Sequence, residues 1–211
     1  MGIRTKSDSL EIRQKIVHQA IRIFALKGIN GTSLEDIANA SGVSRGAIYW
    51  HFNSKYEIYF AFRDEYLDRM VNDLLSTLSV CLSASTDAIF VIKSFLNALA
   101  EYVCQDNSMR LFFEVVYLRN EACDSLMQER ILVESKLESF YKPLCEAYEI
   151  FTVLQGGINS TDLARDTCSF LHVLIYKGVL KPVGTVSQAA VSELIECHLK
   201  IRKALLINKS I

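Results

Sequence analysis

The side chains with the clearest chemistry lie close together in the first quarter of the chain. Arg45 carries a guanidinium that can donate two parallel hydrogen bonds to guanine O6 and N7. Tyr49 can donate to a phosphate or lay its ring on a thymine methyl, and Gly46 lets the backbone approach the floor of a groove. His51 and Lys55 suit phosphate oxygens. Together these residues indicate contact with DNA.

The segment that must position them is TSLEDIANASGVSRGAIYWHFNSK, residues 32–55, which predicts two short helices joined by a tight turn. Thr32 with Glu35 has the spacing of a capping box, so the first helix is expected to begin at Thr32. Gly42 can adopt positive φ in the turn, and Ser44 caps the second helix. A helix-turn-helix places one of its helices in the major groove of DNA.

The second helix has two different faces. Val43, Ala47, Ile48 and Phe52 are expected to point inward, with Trp50 at the margin. Ser54 with Glu57 is a second capping box, which begins the next helix. An ordinary helical hairpin with a solvated face is the alternative, but the two boxes, the glycine turn and YWHF together favour DNA. The predicted DNA contacts are Thr32, Ser33, Ser44, Arg45, Gly46, Tyr49, Trp50, His51 and Lys55.

Residues 16–60 resemble the N-terminal domain of the TetR family of bacterial repressors. The resemblance rests on Ala20, Phe24 and Gly28, on GTSL from Gly31, on Ile37-Ala38, on Gly42-Val43-Ser44 and on YWHF from Tyr49. RGAIYWHF, with RTK near the start and EIRQ from Glu11, looks closest to the AcrR-like subgroup, whose members repress multidrug-efflux pump genes. Beyond about residue 60 the resemblance is faint, apart from a short similar segment at 109–121.

The resemblance implies an all-α, nine-helix architecture with two parts. Residues 8–56 (the head) are expected to form a three-helix, helix-turn-helix DNA-binding domain, and 57–211 (the body) a helical ligand-binding and dimerisation domain. The implied partners are double-stranded palindromic operator DNA, a second copy of the chain joined through about 161–207, and a small hydrophobic, often cationic, inducer.

The sequence of the body predicts further helices. A long helix at about 55–78 leaves the head with no Pro- or Gly-rich linker, which predicts a mechanical connection. The others are expected at about 86–103, 108–118, 123–148, 161–179 and 187–207, after a first helix at about 10–27. The last two are apolar on more than one side, so they either pair with a second copy or close the core of one subunit.

Aromatic residues are frequent in the central helices, which fits an apolar cavity for a lipophilic ligand. A glutamate among aromatic rings would hold a cation by charge and by the ring faces. Plain core packing is the alternative for each of these residues. The predicted ligand contacts are Phe95, Phe112, Phe113, Glu114, Tyr117, Tyr141 and His172.

Charge and composition narrow the function further. Residues 1–55 hold eight Lys or Arg and four Asp or Glu, a net charge of +4, and the remainder holds fifteen and twenty, a net charge of −5. A basic head on an acidic body fits a DNA-binding module. Six cysteines stand far apart, at 81, 104, 123, 145, 168 and 197, so no metal or redox motif is expected.

The sequence lacks the motifs of several other function classes. It contains no phosphate loop, nucleophile elbow or acid–base pair, so we expect neither an enzyme nor a cofactor. No signal peptide or spanning segment is evident, so we expect a cytoplasmic protein with free thiols and no membrane contact. The rival interpretation is an architectural or cell-division factor whose C-terminal domain binds a protein rather than a small molecule.

Overall fold

The computed structural model describes residues 6–85, 87–119, 124–155, 159–179 and 188–207, and within them every regular element is a helix. The α-helices are α1 (Lys6–Lys27), α2 (Leu34–Ser41), α3 (Arg45–His51), α4 (Lys55–Phe62), α5 (Asp68–Ala84), α6 (Ala88–Cys104), α7 (Asn107–Tyr117), α8 (Asp124–Glu138), α9 (Tyr141–Gln155), α10 (Ser160–Val179) and α11 (Gln188–Ile207).

The eleven α-helices of the described residues become nine when α4 is joined to α5 and α8 is joined to α9. A π-helical turn, Arg63–Leu67, connects α4 to α5 without a break, and a two-residue turn separates α8 from α9. The predicted single helix at 123–148 is therefore wrong in one respect. Pro143 lacks an N–H for the carbonyl of Ser139 and its ring would clash there, so an uninterrupted α-helix cannot run through this point.

The head is built on the apolar stripe of α1. Ile16, Ala20 and Phe24 are fully buried, and α1 packs against α2, α4 and α7. Gly28 ends α1 with φ +75°, a conformation that favours glycine, and its amide donates to the carbonyl of Phe24 at 2.9 Å. Ile48 of α3 and Ile58 of α4 join the same core, so the inner side of α3 is packed against buried residues.

The head and the body share one continuous core. Phe62 stacks on Tyr66 with ring centroids 4.3 Å apart and on Phe112 at 5.4 Å, which joins the long helix to α7. Tyr66 also hydrogen bonds to His18 of α1, with Oη 2.5 Å from Nε2. No loop intervenes between Lys55 and Ala84, so a continuous helix and packed side chains connect the body to α1 and α4.

The helices α10 and α11 pack on the body with one side and leave apolar residues on the other. In the described residues α10 contacts α6, α7 and α9, and α11 contacts α6. Val173, Tyr176 and Ile201 are 44%, 50% and 61% exposed. Within the described part no single helix is long and apolar enough to cross a bilayer, and α6 with α7 reaches that length only as a pair bent by 85°.

Candidate nucleic-acid interface

The turn between α2 and α3 has the geometry that the sequence predicts. Gly42 follows Ser41 with φ +62°, in the left-handed region, and its amide donates to the carbonyl of Asn39 at 3.1 Å. Ser44 then caps α3, because its hydroxyl accepts from the amide of Ala47 at 3.2 Å. This turn fixes the crossing of the two helices and so the direction in which α3 projects.

The start of α2 lies one residue later than predicted. Ser33 is the N-cap, and the box closes on Asp36, whose carboxylate accepts from the Ser33 amide at 2.9 Å and from its hydroxyl at 2.7 Å. These hydrogen bonds, with Lys27 nearby, lower the pKa of Asp36 to about 2. The predicted box of Thr32 with Glu35 is wrong, because the buried Thr32 hydroxyl donates instead to the carbonyl of Gly28 at 2.7 Å.

The second predicted capping box is confirmed in part. The Ser54 hydroxyl accepts from the amide of Glu57 at 3.1 Å, as expected. The carboxylate of Glu57 binds the amide of Asn53 at 2.8 Å rather than that of Ser54. The N-terminus of α4 is therefore capped from two successive residues.

Five of the nine predicted DNA contacts are exposed on α3 and at its N-cap, whereas Thr32 is buried before α2. Ser44, Arg45, Gly46, Tyr49 and Trp50 are all exposed, and Ala47 and Ile48 are buried beneath them. Trp50, predicted at the margin, is 72% exposed and lies edge-on to His51, with ring centroids 4.6 Å apart. Trp50 thus adds an exposed apolar surface to α3.

Arg45 forms only a weak, exposed ion pair with Glu35 in the free protein. Its Nη2 lies 3.0 Å from Oε2 of Glu35 on α2, and the two side chains are 71% and 53% exposed. Such a surface pair stabilises by roughly 0–1 kcal/mol. The guanidinium can therefore leave Glu35 for a guanine at small cost.

Gly46 is not required by the fold. A Cβ at this position would meet no atom within 4 Å, and its φ is not positive. The free protein thus has room for a side chain here. Close approach of DNA to α3 would give a reason for glycine at this position.

Lys55, a predicted phosphate contact, also has a structural role. The Lys55 ammonium donates to the carbonyls of Asn30 and Thr32, both at 3.0 Å, and so ties the start of α4 to the loop before α2. Tyr56 adds a second tie, from its hydroxyl to Oδ1 of Asn30 at 3.0 Å. No sequence pattern predicts the role of Asn30, because a loop asparagine has no periodic signal. Contact of Lys55 or His51 with phosphate stays a prediction.

The predicted ligand contacts do not form one site. A cavity of about 470 Å³ lies between the end of α7, α8 and the second half of α10, and of the predicted set it includes Tyr117 and His172. Phe95, Phe112 and Phe113 are fully buried in the core, whereas Tyr141 does not line this cavity.

Glu114 also departs from its predicted role. Its carboxylate binds Arg110 at 3.3 Å and Arg119 at 3.8 Å, so its charge is already compensated. The sequence reasoning missed Arg130 and Lys177, which line the cavity, because charged residues on amphipathic helices usually indicate a solvated face.

Comparison with known proteins agrees with this geometry. The family described as "Bacterial regulatory proteins, tetR family" matches residues 16–62. The regulator AcrR of Shigella flexneri is 32% identical over 182 residues, which cover 85% of this chain and 80% of that protein. TtgR of Pseudomonas putida is also 32% identical over 182 residues, covering 85% of each chain.

A solved structure extends the likeness to the whole fold. NalD, the secondary repressor of the MexAB-OprM multidrug efflux pump in Pseudomonas aeruginosa, has a TM-score of 0.65 with 22% identity, over 92% of this chain and 97% of that one. The relatives are transcriptional regulators, which does not favour an architectural or cell-division role. The chain therefore belongs to the TetR family of bacterial regulatory proteins, in its AcrR-like group, and is a DNA-binding transcriptional regulator rather than an enzyme.

Proposed function

We propose that the chain is a homodimeric repressor that binds a palindromic operator through its head, residues 8–56, and is released by a small hydrophobic molecule bound in its body, residues 57–211. The observation that carries the proposal is the exposed face of α3, where Arg45, Tyr49 and Trp50 lie on a packed base directly joined to the body. A protein that reads an operator works where the chromosome lies, so we place it in the cytoplasm.

An efflux-pump operon is the proposed target. AcrR and TtgR are similar to this chain over most of its length, and NalD represses a multidrug efflux pump. A repressor that responds to compounds the pump exports would link the need for export to expression.

The dimer is proposed to form through α10 and α11, within residues 161–207. Ile201 of α11 is a large apolar side chain that is 61% exposed. Both helices are apolar on more than one side, and a helix of this kind buries its second side against a neighbour. A two-fold axis here would set two copies of α3 about 34–36 Å apart, one turn of DNA.

Coupling between cavity and head is proposed to run through α8. Arg130 and Glu134 of this helix line the cavity. Glu129 and Lys136 bind the long helix at Arg63, the first residue of the π-helical turn, and at Asp68, the residue after it. A ligand that displaces Arg130 would move α8 and shift the long helix, and π-helical turns are frequent at functional sites.

The test is an in vitro selection from random duplex DNA with the full-length chain, followed by footprinting and measurement of the mass of the complex in solution. A palindromic site bound by two or more copies, and released by a dye or bile salt from a panel, is the expected result. Monomeric protein with no preference among duplexes at moderate ionic strength would overturn the proposal.

A further inference from the structure

The cavity in the body has a polar end and an apolar wall. Its volume of about 470 Å³ is in the range that holds a drug-sized molecule. Val173 and Ile175 supply apolar surface, and the remaining lining residues carry a polar group. They are Tyr117, Arg130, Glu134, His172, Tyr176 and Lys177.

Positive charge exceeds negative charge at this cavity. Glu134 is its one carboxylate among the described lining residues, and Arg130 Nε lies 3.0 Å from Glu134 Oε1. Lys177 is exposed and forms no ion pair in the described part of the chain. Because Arg130 and Glu134 compensate each other, the Lys177 ammonium remains as an uncompensated positive charge. This charge favours an anionic ligand.

Tyr117 has a hydroxyl that can donate a hydrogen bond to a ligand. Its hydroxyl is buried and has no hydrogen-bond partner among the described residues. A buried polar group without a partner costs roughly 1–3 kcal/mol. Burial raises the pKa of Tyr117 to about 12, so the hydroxyl keeps its proton at neutral pH. The guanidinium of Arg130 lies over the ring of Tyr117, 5.5 Å from its centroid, and so brings the donor close to a cation.

We propose that this cavity takes an amphipathic organic anion, whose carboxylate or sulfonate accepts from Tyr117 and is neutralised by Lys177, and whose apolar part lies against Val173 and Ile175. The inference rests on the proposed function, since it names the chemical class of the inducer. It departs from the cationic ligand expected from sequence, because Glu114 and Glu134 are both occupied by arginines.

The test compares two fluorescent probes that differ only in the anion. 1-Anilinonaphthalene-8-sulfonate and N-phenyl-1-naphthylamine share the same aromatic frame, and only the first carries a sulfonate. Titration of each into the full-length protein is expected to give a dissociation constant about tenfold lower for the sulfonate, the size of one charge-assisted hydrogen bond. Equal or tighter binding of the neutral probe would overturn the proposal.

Substitutions of single lining residues test whether the preference for the sulfonate probe arises in the cavity. Lys177→Gln is expected to weaken the sulfonate about tenfold and to leave the neutral probe unchanged. Tyr117→Phe should weaken the sulfonate more than the neutral probe as well. Lys142→Gln, at an exposed lysine of α9 outside the cavity, is the matched control and should change neither. If Lys142→Gln and Lys177→Gln weaken the sulfonate equally, the preference belongs to surface charge and the proposal fails.

DNA binding is measured separately with the same preparations. The probes are added to the complex with a duplex obtained by selection. A sulfonate preference that depends on Lys177 supports the anion site even if the protein binds no duplex, in which case the repressor proposal fails alone. Release of DNA by the neutral probe with no sulfonate preference keeps the repressor proposal and overturns the anion site.

Discussion

Arg63 and Glu129 lie 66 positions apart in the chain and meet in a close ion pair, in which Nη1 of Arg63 is 2.6 and 2.7 Å from the two carboxylate oxygens. Their side chains are only 15% and 11% exposed. Arg63 also lies over the ring of Phe60, 4.9 Å from its centroid. The pair joins α8, beside the cavity, to the first residue of the π-helical turn in the long helix.

Glu129→Gln should destabilise the fold and weaken the response to ligand. The loss of a charge-assisted hydrogen bond is expected to lower the free energy of unfolding by about 1–3 kcal/mol. Because the cavity keeps its lining, binding of the naphthalene sulfonate should persist while its effect on DNA binding declines. Urea denaturation and fluorescence anisotropy on a selected duplex measure the two effects. Glu138→Gln, at an exposed residue of the same helix, is the control, and identical behaviour of the two variants would contradict the coupling.

Arg45→Ala should reduce specific binding by about 1–3 kcal/mol through the loss of one base contact. Discrimination between a selected palindrome and a scrambled duplex, measured by gel shift, should fall by the same amount. Glu35→Gln provides the reciprocal test, since it removes the carboxylate that competes for Arg45 in the free protein. Affinity for the palindrome is expected to stay equal or to rise. Unchanged discrimination in Arg45→Ala would exclude base reading by this residue.

Gly46→Ala and Gly42→Ala should have opposite effects on stability. Nothing lies within 4 Å of a Cβ at position 46, so alanine there should raise the free energy of unfolding by up to about 1 kcal/mol, yet it should weaken DNA binding if the backbone approaches the groove. Gly42 has φ +62°, and alanine should lower stability by about 1–2 kcal/mol. Thermal unfolding and anisotropy separate the two. Full DNA affinity in Gly46→Ala would argue against close approach at this point.

Asp36 should contribute to stability in a pH-dependent way. Its pKa in the folded protein is about 2, below the ordinary value of 3.8, so folding favours the charged carboxylate. The contribution is complete above about pH 4 and is lost as the pH falls toward 2. Melting temperatures of the wild type and Asp36→Asn should therefore differ at pH 7 and converge between pH 4 and 2. A difference that does not vary with pH would show that the charge is not involved.

The head was predictable because its signals are local. Glycines 28 and 42, the caps Ser44 and Ser54 and the buried stripe of α1 each act within a few residues. The register of α2 was not predictable, since Thr32 with Glu35 and Ser33 with Asp36 have the same spacing. What decides between them is the hydrogen bond from Thr32 to Gly28, which depends on how the preceding loop folds.

The ligand site was largely unpredictable because it depends on pairs that are distant in sequence. An aromatic residue in a core helix and one in a cavity wall have the same sequence pattern, as Phe112 and Tyr117 of α7 show. Whether Glu114 is available depends on Arg110 and Arg119, and whether Arg130 faces a cavity depends on α10. The π-helical turn likewise has no cue in RDEYL.

The π-helical turn also affects how the N-terminal end of the long helix is rotated relative to its C-terminal end. Each residue of an α-helix advances the chain by about 100° around its axis, and a π-helical turn accommodates one residue more than an α-helical turn. Removal of a single amino acid from Arg63–Leu67 would restore ordinary winding and leave the two ends of the long helix in nearly the same relative rotation, whereas removal of one from α4 or α5 would rotate everything N-terminal of it by roughly 100°. The direction in which α3 faces relative to the body therefore depends on the number of residues in the long helix.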